Sequence, residues 1–91
     1  MNKDKYAIES LVMDLKRAAL GYHSGSEKTA KRFSEEALKR KEEIAPSNLK
    51  PYFRKIINSL PQVLSQKDKR RLAEDALMYS TMVQNYASKN F

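Results

Sequence analysis

The 91-residue sequence has no cysteine and no tryptophan, one histidine, two glycines and three prolines. Without cysteine there is no disulfide framework, no thiolate nucleophile and no thiolate metal ligand, which fits a reducing, cytoplasmic setting. So little glycine and proline leaves small room for long irregular loops, and the composition is not that of a disordered segment. Long apolar runs are also missing. Runs such as ALMY stop at four residues, far short of the ~20 that cross a bilayer. Charges in MNKDKYAIESL stand where a signal peptide needs an unbroken apolar stretch. The chain therefore reads as a soluble protein beginning at its own Met1.

Reactive chemistry is sparse as well. The lone His23 sits in a polar connector, GYHSGS, and no HExxH, EF-hand or phosphate-cradling glycine motif occurs. The adjacent acids Glu35/Glu36 and Glu42/Glu43 diverge by about 100° on a helix, and most acids have a basic neighbour one turn away. Neither catalysis nor a metal or other cofactor is expected.

What is present is helical periodicity. With 41% hydrophobic and 32% charged residues, the chain can bury one modest core and stay hydrated as a single domain. Ile8, Leu11, Val12, Leu15, Ala18, Ala19 and Tyr22 recur on one face, with Gly21 as a left-handed stop. A second stripe joins Ala30, Phe33, Ala37, Leu38 and Ile44. Its polar face pairs Lys31 with Glu35, Arg32 with Glu36, Glu35 with Lys39 and Glu36 with Arg40. A third helix opens at Pro51, buries Leu49, Phe53, Ile56 and Leu60, and is closed by Pro61. Ser65, with Asp68 in the capping-box position, opens a fourth that buries Leu72, Ala76, Tyr79, Val83 and Tyr86. The expected fold is all-α: helices at about 4–20, 27–45, 51–60 and 66–88, forming a small four-helix bundle or two packed helical hairpins. The stretch TAKRFSEEALKR resembles the later half of a tetratricopeptide repeat. The first-helix signature of that repeat is absent and no second copy follows, so no repeat is assigned.

Charge is concentrated. Of the net +7, residues 47–71 carry +6, from seven basic residues and one acid. These are Lys50, Arg54, Lys55, Lys67, Lys69, Arg70 and Arg71. Four of them fall in the expected first turns of the last helix, the end where the helix dipole disfavours cations. Ser65 and the free N–H groups there, with Lys67, Arg70 or Arg71, would hold a phosphate. Lys50, Arg54 and Lys55 would continue the surface if the last two helices form a hairpin. Gln66, Lys67, Arg70 and Arg71 also occupy recognition-helix positions in a helix–linker–helix outline, so DNA or RNA is a candidate partner. Against this, Arg70 can pair with Glu74 and Arg71 with Asp75. Tyr52, at the edge of its stripe near Lys55, is a candidate for base stacking.

A second apolar set lies off the core stripes. Tyr6, Met13 and Leu20, seven apart, stand opposite the Ile8–Leu11–Leu15 face, and Met78 and Met82 sit beside the Lys67/Arg71 line. A monomeric bundle has no use for them, which suggests a homo-oligomer or partner-protein interface. The leading expectation is a non-catalytic, self-associating interaction module. The alternative is nucleic-acid binding through residues 47–71.

Overall fold

The computed structural model describes residues 3–90. Its elements are α1 (Lys3–His23), α2 (Glu27–Glu43), a 3-10 turn (Pro46–Asn48), α3 (Pro51–Asn58), α4 (Leu60–Leu64) and α5 (Lys69–Asn90). No strand occurs among the described residues, so the chain is all-α as its periodicity predicts.

The long helix α1 lies between α2 and α5 and packs on both. Residues from the end of α1, Ala19 and Leu20, meet Arg70 and Ala73 at the start of α5, while Lys5 and Glu9 meet Gln84 and Ser88 near its end. The two helices are thus antiparallel. At the start of α1, the Asp4 carboxylate accepts hydrogen bonds from the Asn48 side-chain amide (2.8 Å) and the Ala45 N–H (3.5 Å), just after α2 ends. So α2 is antiparallel to α1 as well. The segment from 44 to 68 returns along the bundle: Lys50 N–H donates to the Tyr86 hydroxyl (3.2 Å), Ser59 and Tyr79 hydroxyls lie 2.8 Å apart, and Gln66 Nε2 donates to Asp75 (2.9 Å). With these contacts α3 and α4 run antiparallel to α5.

The core is the expected one in α1, where all seven stripe residues are buried. It is completed by Ala30, Ala37 and Ile44 of the second stripe, Phe53, Ile57, Leu60 and Leu64 of α3 and α4, and Leu72, Ala73, Ala76, Val83 and Tyr86 of α5. Phe33, Leu38, Ile56 and Tyr79 pack at its margin.

Several boundaries differ from expectation, each for a local reason. The helix α1 runs through Gly21 to His23, and the left-handed residue is Gly25, at φ +80°. Ser26 N–H donates to the Gly21 carbonyl (2.8 Å) and Gly25 N–H to that of Tyr22 (3.4 Å), the two bonds of a Schellman ending. Gly21 serves close approach instead: a Cβ there would lie 2.9 Å from the Ala30 Cβ and 3.0 Å from the Ala30 backbone. Gly21→Ala is therefore expected to destabilise by about 1–2 kcal/mol, since a clash against backbone falls in the upper part of the about 1–3 that overpacking costs and exceeds the ~1 gained in helix propensity. Urea unfolding measures it, and an unchanged midpoint would mean that α1 and α2 separate without cost.

The expected third helix is two short ones. Pro61 does not close it; it sits in the first turn of α4, where a missing N–H costs nothing. The last helix begins at Lys69, later than Ser65 suggested, because Ser65 turns back to donate to the Gln62 carbonyl (3.0 Å). Asp68 is the capping acid, its carboxylate accepting from Arg71 N–H at 3.2 Å. On α2 the ion pairs are Glu36–Lys39 (3.7 Å), Arg40–Glu43 (3.0 Å) and Lys41–Glu42 (3.6 Å), and the four predicted pairs do not form.

Candidate interaction surface

Because α2 and α5 flank α1 and the α3–α4 segment lies along α5, the residues of α1 opposite its core stripe are left uncovered. Tyr6, Met13 and Leu20 are there, 65%, 45% and 64% exposed. Along α1 they form a line about 21 Å long at the ordinary helical rise. Each stands at the lip of a groove. Tyr6 lies with Ala7, Arg40 and Glu43 between α1 and α2, and Met13 with Val12, Gln84 and Ala87 between α1 and α5. Leu20 lies with Ala19, Ala73 and Leu77 at the other end of the α1–α5 seam. Leu77, half exposed, extends the apolar surface at the Leu20 end and was absent from the sequence-based set. Its signal was available: it lies one turn beyond Ala73, on the flank of α5 that meets α1.

The methionines of α5 do not join this line. Met78 is half exposed and Met82 partly buried. Met78 is one residue past Leu77 and hence about 100° around the helix. Both flank Tyr79 and Asp75, which bond to Ser59 and Gln66, so they belong to the side of α5 facing α3 and α4.

The basic residues spread along the molecule, which is 36 Å in its longest dimension. Lys50 is at the Tyr86 end, and Arg54 turns toward α2, beside Lys41 and Glu42. Lys55 is exposed on α3. At the far end, Lys67 precedes α5 and Lys69 folds inward, its ammonium 5.4 Å from the centre of the Tyr22 ring. Arg70 pairs with Glu74 at 3.9 Å. Arg71 lacks the expected Asp75 partner, because Asp75 accepts from Gln66. The phosphate site imagined at Ser65 is not assembled: the Asp68 carboxylate already occupies the first-turn N–H of Arg71, and Ser65 is turned away. Gln66, likewise, precedes the helix and is held by Asp75 and the Val63 carbonyl, so it does not stand in recognition position. Tyr52 is half exposed, its ring edge-on to Tyr86 with centroids 5.9 Å apart. How four cations tolerate a helix start is now visible. One precedes the helix, one leans on a ring, one pairs along the helix, and Asp68 offsets the rest.

A buried charge was missed. Asp14 lies in the α1–α2 seam, 8% exposed, with its Oδ2 3.8 Å from Arg40 Nε. Neither of those two atoms makes a hydrogen bond. Burial pushes the Asp14 carboxyl above its usual pKa of 3.8, and Glu36 adds to the rise, while Arg40 and Arg17 oppose it. Arg40 is held charged chiefly by its hydrogen bond to Glu43. The position of Asp14, one turn from both Leu11 and Ala18, was the signal.

With its folded pKa raised, Asp14 binds a proton in the folded state that the unfolded chain does not yet hold. This contribution to stability therefore grows as pH falls through the folded pKa toward 3.8. Asp14→Asn lacks the buried charge, so its advantage over the wild type is expected to be largest at neutral pH and to shrink on acidification. Paired urea titrations at pH 7 and about pH 4 check it. A constant difference would mean that Asp14 is not desolvated.

No helix among the described residues is long and apolar enough to cross a membrane, and no group of three or more His, Cys, Asp or Glu residues is placed to hold a metal ion. Comparison with protein-family models, with curated proteins and with solved structures gave no match.

Proposed function

We propose that the chain is a non-catalytic helical interaction module that self-associates through the outer face of α1. One observation carries this reading: Tyr6, Met13 and Leu20 recur at heptad spacing and stay exposed on the helix that supplies the largest share of the core. A helix already packed on both flanks needs no apolar third face for its own fold. Large apolar side chains left exposed in a line of this kind suit a protein–protein contact. Sedimentation equilibrium over a wide concentration range tests it. A mass approaching twice the 10.5 kDa of the chain is expected at high concentration. A monomer throughout would remove the reading.

A second reading, binding of DNA or RNA by residues 47–71, is favoured by a separate observation. Lys50, Arg54, Lys55, Lys67 and Arg71 are exposed, and none has an ion-pair partner among the described residues. Their spread along the bundle suits several successive phosphates of a strand better than one anion. Fluorescence anisotropy at low salt is expected to show saturable binding that weakens steeply as salt rises. The double variant Arg54→Glu, Lys67→Glu should abolish it. Full binding by that variant would put the contact elsewhere, and no binding by the wild type would end this reading.

A further inference from the structure

The charges beside the apolar line of α1 are arranged about its middle. Tyr6 and Leu20 are each seven residues from Met13; Glu9 lies four before it, and Lys16 and Arg17 lie three and four after it. Glu9 and Lys16 are exposed and have no ion pair among the described residues. Arg17 is exposed and rests its guanidinium 5.4 Å from the centre of the Phe33 ring, beside the line. Two ways of pairing this face with itself differ sharply. In a parallel pair each flank of the line faces the opposite flank of the other copy, so Lys16 falls level with Arg17, Glu9 falls level with Ser10, and no acid meets a cation. In an antiparallel pair centred on Met13, like flanks face each other, and Glu9, on the α5 side of the line, falls beside Lys16 of the other copy. Tyr6 then meets Leu20, and Met13 meets its own counterpart.

We infer that the occupant of this face is a second copy of the chain, docked antiparallel about a two-fold axis at Met13, with Glu9 of each copy against Lys16 of the other. This rests on the self-association reading and adds orientation and register to it. The contact is isologous: the same patch serves both copies, and the assembly closes at two. Each Tyr6 ring covers the apolar Leu20/Leu77 end of the opposite copy and keeps its hydroxyl at the wet rim. Charge opposition across the seam selects the orientation, as flanking charges do in helix pairs generally.

The lack of native cysteine makes the test clean. Three single-cysteine variants, Tyr6→Cys, Met13→Cys and Leu20→Cys, are treated with a bismaleimide spanning about 8 Å, the spacing of packed helices. Met13→Cys is expected to link to itself. Tyr6→Cys and Leu20→Cys are expected to link only when mixed with each other. Self-linking of Tyr6→Cys and of Leu20→Cys, without the mixed product, would overturn the antiparallel register while leaving self-association standing. A wild-type dimer with no link in any variant would place the contact on another face and overturn the inference. A wild-type monomer would overturn the reading beneath it. As an independent measure, Glu9→Lys, at an exposed position with no ion pair among the described residues, is expected to raise the dimer dissociation constant about tenfold. An unchanged constant would count against the register.

Discussion

Phe53→Ala is expected to cost about 3–5 kcal/mol of folding stability, the range for deleting a buried aromatic side chain. Phe53 has no exposed surface, and its ring stacks on Tyr86, 3.7 Å between centroids and nearly parallel. The loss would not stay local. The eight residues of α3 are too few to hold a helix alone, so α3 depends on what it buries, chiefly Phe53 and Ile57. Once the ring is gone, the backbone bond from Lys50 to the Tyr86 hydroxyl loses the stack that orients it. Domains of this size have a total stability of about 5–15 kcal/mol, so roughly a fifth or more of it is at stake. The shift in urea midpoint, with helical circular dichroism before the transition, measures the effect. A loss below about 1 kcal/mol would mean that α3 is not seated in the core.

Met13→Glu is expected to do the reverse, leaving the fold intact and abolishing the dimer. In the monomer Met13 is 45% exposed and contributes little to the core, so the folded monomer should change by about 0.5 kcal/mol or less. At a two-fold axis each substitution acts twice. Two carboxylates would face each other across a seam that excludes water, and an unpaired charge taken out of water costs several kcal/mol. The dissociation constant should rise about a hundredfold or more, equivalent to about 2.7 kcal/mol. Sedimentation equilibrium checks the association and thermal unfolding checks the fold. A dimer of undiminished affinity would show that α1 is not the contact.

The helices were legible because their evidence is local and repeated. All seven predicted stripe residues of α1 are buried, and so are Leu72, Ala76, Val83 and Tyr86 of α5. The ends were less so, since each depended on a choice between similar residues. Gly21 and Gly25 both suit a left-handed stop, and the approach of Ala30 to Gly21 decides which takes the role. Ser65 and Asp68 both suit a cap, and Ser65 is diverted by the Gln62 carbonyl. The exposure of Tyr6, Met13 and Leu20 was readable from helix geometry alone. Leu77 and Asp14 carried only a spacing signal, because both lie at seams between helices, where the side a flank faces is settled by a second element. The same holds for Arg71, whose expected partner Asp75 is taken by Gln66 from across the turn.

The placement of α1 also bears on the order in which the molecule assembles. Its first flank is covered by α2, its immediate neighbour in sequence, through the tight Ser24–Ser26 turn. Its second flank is covered by α5, at the opposite end of the chain. Closing a small loop is entropically cheap and fast, whereas the α1–α5 contact must close the whole intervening segment. The α1–α2 hairpin can therefore form early. Until the last helix docks, Val12, Ala19 and their neighbours stay uncovered alongside Tyr6, Met13 and Leu20. During synthesis or refolding that hairpin presents a wider apolar surface than the finished protein does, and encounters between two such hairpins at high concentration would compete with correct closure.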